Sequence, residues 1–210
     1  DEILNAIKER CDHGVLGYGS DRPELNDLIV QHCKQHYNWD MKPEWIVLTP
    51  GVVKGLNIAR AMAMENGKNA GTTALPVYPH LMQSSPILKF NNQTFLTKTK
   101  GDSWELDLQA FENSITSDTG LMLLCNPHNP LGKVYDQDEL ASIAAMCVKH
   151  NLIMCSDDVH CDLILNGKKH IPIASLNRDI ADLSITLMAP SKTFNVAGLD
   201  CAFAIIPNPM

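Results

Sequence analysis

One lysine stands between two apolar runs. Residues 183–188 read as a strand, Ala189-Pro190-Ser191-Lys192-Thr193-Phe194-Asn195 follows, and residues 196–199 resume the apolar pattern. An amine so placed is expected to be partly desolvated, which lowers its pKa and makes it a nucleophile. Read alone, such a lysine is usually just a surface residue.

Other polar residues sit at corresponding places. In open parallel sheets ligands collect outside the carboxyl ends of the strands, and the segments after the apolar runs carry the chemistry. Ser156-Asp157-Asp158-Val159-His160 follows a run ending at Cys155 and puts a carboxylate at a buried strand end. A helix N-cap or a solvated acidic pair would look the same. A metal site from Asp157, Asp158, His160 and Asp162 matches no ligand spacing of the known kinds. Asn126-Pro127-His128-Asn129-Pro130-Leu131-Gly132 follows the run 121–125, and its prolines and glycine would present Asn129 on a rigid loop or simply make a turn. Thr49-Pro50-Gly51-Val52-Val53 is a glycine turn into a helix, where free N–H groups and the helix dipole favour a phosphate. A plain turn also contains glycine.

The elements that must position these residues follow an alternating pattern. Strand candidates are 46–48, 121–125, 152–155, 183–188 and 201–206, separated by amphipathic segments. Leu140, Ile143, Ala144, Cys147 and Val148 predict a helix over 138–149, with Asp136 and Glu139 as a capping-box start and Asn151 as a stop. A second helix is expected after Gly51, through Leu56, Ala59, Arg60 and Ala63, ending at Asn66-Gly67. The fold class is α/β, a mainly parallel sheet flanked by helices. Residues 41–210 form the large domain, and 1–40 an arm or small-domain remnant of helices and loops.

Composition bounds the function. The 210 residues are 45% hydrophobic and 20% charged, enough for a sizeable core. A net charge of -7 without a basic run argues against nucleic acid or an anionic membrane surface as partner, and favours a small neutral or zwitterionic substrate. Seven cysteines, none in a Cys-x-x-Cys pair, suit free thiols in a reducing cytoplasm. No run of about 18 apolar residues exists to span a bilayer. A start at Asp1 without Met, and an end directly after an apolar run, read as a fragment cut at both ends.

Taken together, the segments resemble the fold-type I pyridoxal-phosphate enzymes of the class I/II aminotransferase superfamily. The likeness is greater to the MalY/PatB cystathionine beta-lyase family, through Cys125-Asn-Pro-His-Asn-Pro, Ser156-Asp with a following acidic residue, Val159-His160, Lys169-His-Ile-Pro-Ile-Ala-Ser175-Leu and Pro190-Ser-Lys-Thr-Phe-Asn-Val-Ala-Gly-Leu199. It covers nearly the whole chain.

The resemblance implies pyridoxal 5'-phosphate as cofactor, bonded covalently by Lys192. Asp157 would pair with the pyridine nitrogen, Tyr78 stack on the ring, and Asn129 bond the 3-oxygen. His160 would serve the same oxygen, where many relatives have a tyrosine. Gly51, Val52, Val53 and Ser191 match the phosphate cradle. Tyr18, in Gly17-Tyr18-Gly19, resembles the tyrosine that reaches the neighbouring subunit's phosphate, which implies a homodimer. Two positions depart from the pattern. Asp158 replaces the more usual glutamate, and Asp200 stands eight residues after Lys192, where many aminotransferases keep a phosphate-binding arginine.

Family members are longer, so an arginine gripping the substrate carboxylate is expected outside this chain, and the chain alone is expected to be inactive or weak. The expected activity is a pyridoxal-phosphate-dependent carbon-sulfur beta-lyase. The alternatives are an aminotransferase, sharing every residue named, and a non-enzymatic cofactor-sensing regulatory or protein-binding module.

Overall fold

The computed structural model describes residues 1–19, 22–165 and 167–208. Two helices come first, α1 (Glu2–His13) and α2 (Pro23–Tyr37). Then follow β1 (Ile46–Thr49), α3 (Val52–Glu65), β2 (Ala70–Leu75), the single turn α4 (Pro79–Met82), and the hairpin of β3 (Asn91–Lys100) and β4 (Ser103–Leu106). The second half runs α5 (Leu108–Ser114), β5 (Thr119–Cys125), α6 (Gln137–Lys149), β6 (Ile153–Asp157), α7 (Arg178–Ala181), β7 (Ser184–Met188) and β8 (Ala202–Ile205).

The strands form one sheet in the order β1-β8-β7-β6-β5-β2-β3-β4. The central strands β7, β6, β5, β2 and β3 are parallel, while β8 runs antiparallel to both β7 and β1, and β4 antiparallel to β3. From β2 the chain turns one way to β3, and from β5 it proceeds the other way through β6 and β7. The β2/β5 junction is therefore the point at which strand order reverses, the place where open sheets of this class leave a crevice.

The central strand β5 serves two cores. Met122 and Leu124 of β5 join Leu140, Ile143, Ala144 and Cys147 of α6 on one face. Leu121, Leu123 and Cys125 meet Leu56, Ala59 and Ala63 of α3 on the other. Covered on both faces, β5 is buried along its whole length and reads as an unbroken apolar run. The start of α6 is the predicted capping box, with Asp136 accepting from the Glu139 N–H and Glu139 from the Asp136 N–H, each at 2.9 Å. The helix after Gly51 also stands where the spacing predicts it, as α3.

Three strands escape the apolar-run signal. β2 is Ala-Gly-Thr-Thr-Ala-Leu, small because a Cβ on Gly71 would lie 2.9 Å from the Phe90 ring and 3.1 Å from Leu121. Its buried threonines are satisfied, Thr73 donating to the Leu123 carbonyl at 2.8 Å. β3 and β4 form the edge, with their polar faces in water.

At the other end, α2 docks through Ile29 and Cys33 onto Trp39, Met41, Ile46, Met188 and Ile205, whereas α1 buries no residue. All seven cysteines are free thiols. Among the described residues no helix is long and apolar enough to cross a membrane.

Candidate active site

The loops leaving the carboxyl ends of β2, β5, β6 and β7 and the start of α3 enclose a cavity of about 260 Å³. Nine of the ten residues singled out in the sequence line it: Gly51, Val52, Val53, Tyr78, Asn129, Asp157, His160, Ser191 and Lys192. The tenth, Tyr18, lies after α1, is fully exposed and is not among the residues lining this cavity.

Asp157 ends β6 in register with Cys125 of β5 and Leu187 of β7. Its carboxylate is buried and accepts one hydrogen bond, from the Val159 N–H at 3.3 Å. Burial pushes its pKa up to about 7, the neighbouring Asp158 adds to the rise, and the Val159 N–H and the Lys192 charge work against it. Among the described residues this carboxylate forms no salt bridge. Asp158 is the reverse case: fully buried, it accepts from Ser156 Oγ and from His170 Nε2 at 2.7 Å, so neither the N-cap nor the solvated-pair reading describes the two residues.

Lys192 corrects an expectation. It is exposed rather than partly desolvated, because the apolar run after it does not pack over the amine, and Phe194 and Leu199 are themselves exposed. Its loop is held by backbone bonds from Phe194 to Pro190 and from Val196 to Ser191, each 3.0 Å. Thr193 Oγ1 also donates to Asp162 Oδ2 at 2.8 Å, and Asp162 in turn accepts from the Tyr37 hydroxyl of α2. His160, partly buried beside this loop, is held below the usual imidazole range by burial and by the charge of Lys192.

Tyr78 and Asn129 face each other across the reversal point, where the Tyr78 N–H donates to the Asn129 carbonyl at 3.0 Å. His128 makes the second stitch. Its Nε2 lies 2.9 Å from the Pro76 carbonyl, which can only accept, so Nε2 carries the proton. Burial lowers the His128 pKa, and the neutral ring accepts through Nδ1 from the Tyr135 hydroxyl at 2.7 Å. Arg60, fully buried on α3, donates from Nη2 to the His80 and Leu81 carbonyls, each at 2.9 Å, and so fixes the turn that follows Tyr78.

Gly51 is the N-cap of α3 at φ 92° and ψ 150°, a conformation suited to glycine. It provides no side-chain cap, so the first N–H groups of the helix remain available at the cavity wall. Lys54 and Asp200 also line the cavity and pair at 2.5 Å. Neither Lys54 nor Arg60 stands out in the sequence as functional. A lone arginine on the apolar stripe of α3 was the available signal for Arg60.

A buried carboxylate short of a cation, an uncapped helix start and an accessible amine are a donor set that fits pyridoxal phosphate. Asp157 would hold its ring nitrogen, the α3 start its phosphate, and Lys192 its aldehyde carbon.

Comparison with known proteins agrees with this geometry. The chain is 35% identical over 210 residues to cystathionine beta-lyase PatB of Bacillus subtilis, covering 98% of this chain and 53% of that protein. The crystal structure of OvoB superposes with a TM-score of 0.91 at 40% identity, over 99% of this chain and 55% of the other. Cystalysin from Treponema denticola, whose structure contains pyridoxal 5'-phosphate, superposes with a TM-score of 0.88 at 31% identity, over 99% and 53%. The chain thus spans about half the length of the relatives it matches. The family model for class I and II aminotransferases matches residues 1–210, and the chain belongs to that family.

Proposed function

We propose that the protein is a pyridoxal-phosphate-dependent carbon-sulfur beta-lyase, cleaving cystathionine or related cysteine S-conjugates to pyruvate, ammonia and a thiol. The observation that carries the reading is the convergence of Lys192, Asp157, Tyr78 and Asn129 on one cavity at the β2/β5 reversal. The lyases among the relatives support it.

Pyridoxal phosphate supplies an electron sink for charge developing at the substrate α-carbon. The chain's own residues do the rest. Lys192 Nζ would hold the cofactor covalently and would be the base that takes the substrate α-proton. Asp157 holds positive charge at the ring nitrogen, for which its single hydrogen bond leaves capacity. Tyr78 would cover the cofactor ring, and Asn129 and His160 would bond its 3-oxygen. The α3 start with Ser191 binds the phosphate. Tyr18, exposed on its loop, would reach the cofactor of a second copy in a homodimer, and seven free thiols fit a cytoplasmic location.

The test is product analysis on the whole protein. With cystathionine, pyruvate and free thiol should appear together. A new amino acid and keto acid without pyruvate would make it an aminotransferase, a reaction open to the same residues. Cofactor binding without turnover of any amino acid would point to a sensing module.

A further inference from the structure

Two charged tips meet over the bare α-carbon of Gly51. Lys54 Nζ and Asp200 Oδ2 are 2.5 Å apart. A Cβ built on Gly51 would overlap the Asp200 carboxylate and stand 3.4 Å from Lys54 Nζ. The pair thus lies across the start of α3, a helix of 14 residues whose N-cap brings no side-chain acceptor. By contrast α1, α5, α6 and α7 are capped by Asp1, Asp107, Asp136 and Asn177. Asp200 is close to the position of a capping anion without making a hydrogen bond to the helix N–H groups.

We infer that Lys54 is the cation that meets the cofactor's phosphate, and that Asp200 is its partner only until the phosphate arrives. The inference rests on the reading of this cavity as the pyridoxal-phosphate site. Both side chains are about half exposed, at 52% and 56%, so their attraction is screened and readily exchanged. A phosphate with a charge of roughly -1.5 to -2 and several acceptor oxygens attracts Lys54 more strongly than one carboxylate does. The same phosphate repels Asp200. The cavity's other charged side chains are Lys192 and Asp157, both assigned to the cofactor ring, and its other titratable ones are His160, Tyr78, Cys125 and Cys201, of which His160 is biased towards its neutral form and the Cys125 thiol is pushed up to about 12 by burial. Asp200 therefore sets cofactor affinity below what the cradle would otherwise give, and Lys54 recovers part of the loss.

The test uses the whole protein, titrated with pyridoxal phosphate and separately with pyridoxal, which lacks the phosphate, following the visible absorbance of the bound cofactor. Asp200→Asn is isosteric, and asparagine tolerates the left-handed backbone at this position (φ 50°). It should tighten pyridoxal phosphate on the order of fivefold, the scale of one screened charge contact, and leave pyridoxal unchanged. Asp200→Gly should do the same, which guards against a misfolded variant. Lys54→Met should weaken pyridoxal phosphate by a similar factor, alone and in the Asp200→Asn background. Unchanged or weaker binding in both Asp200 variants overturns the inference and leaves the cavity reading standing, as does an equal shift for pyridoxal. Failure of the unsubstituted protein to bind pyridoxal phosphate overturns both.

Discussion

Two adjacent aspartates divide the molecule into two kinds of polar site. On the cavity side Asp157 is buried with one long hydrogen bond and a pKa pushed up to about 7. On the other side Asp158 has Ser156 and His170 as partners, and the Tyr37 ring stands edge-on to His170 at 5.3 Å. Nearby, Tyr37 and Thr193 converge on Asp162, joining α2 to the Lys192 loop. A buried carboxylate whose partners come from within the fold specifies structure. A buried charge left short of partners is unfavourable until a ligand supplies one, and that difference separates Asp157, the carboxylate proposed to bind the cofactor, from the structural Asp158.

The largest effect should come from removing the satisfied partner. Asp158→Ala strips His170 Nε2 of its acceptor while His170 Nδ1 already has none, and should cost about 3–5 kcal/mol in urea unfolding. A loss below about 1 kcal/mol would erase the contrast.

Asp157→Asn should act with the opposite sign in cofactor-free protein. The native state holds the Asp157 proton more tightly than the unfolded chain, whose value is near 3.8. The stabilisation this gives is complete below about pH 4 and is lost as pH rises to about 7. Above pH 7 the variant should therefore be the more stable by up to about 4 kcal/mol, the gap closing towards pH 4 and narrowing when saturating pyridoxal phosphate is added. Equal pH profiles for the two proteins would contradict the account of Asp157.

Smaller again is Gly51→Ala, which forces a side chain into φ 92° and against Asp200. It should cost about 1–3 kcal/mol and weaken pyridoxal phosphate more than pyridoxal. Equal weakening of both would remove Gly51 from the phosphate end.

How much of this was legible in the sequence follows from the same contrast. β5, β6 and β7 lie in the buried centre of the sheet, so their apolar runs announce them, and the polar residues just beyond mark the cavity. β2 is as central but built of small residues for the close approach of Phe90 and Leu121, which leaves no apolar run to read. Asp157 and Asp158 look alike in sequence, because only the three-dimensional neighbours His170 and Ser156 distinguish them. Lys192 was legible as a position but not in its exposure, since an apolar run beside a residue in sequence need not cover it. Lys54 reads as a helix-surface lysine until the turn before β8 brings Asp200 to it.

The central claim is that Lys192 is the residue bonding the cofactor, although Lys54 lines the same cavity. The direct measurement is to load the whole protein with pyridoxal phosphate, reduce the linkage with borohydride and map the modified lysine by peptide mass spectrometry. The account predicts a single adduct on Lys192, lost in Lys192→Ala together with the visible absorbance. An adduct on Lys54 or any other lysine, with Lys192 unmodified, would contradict it.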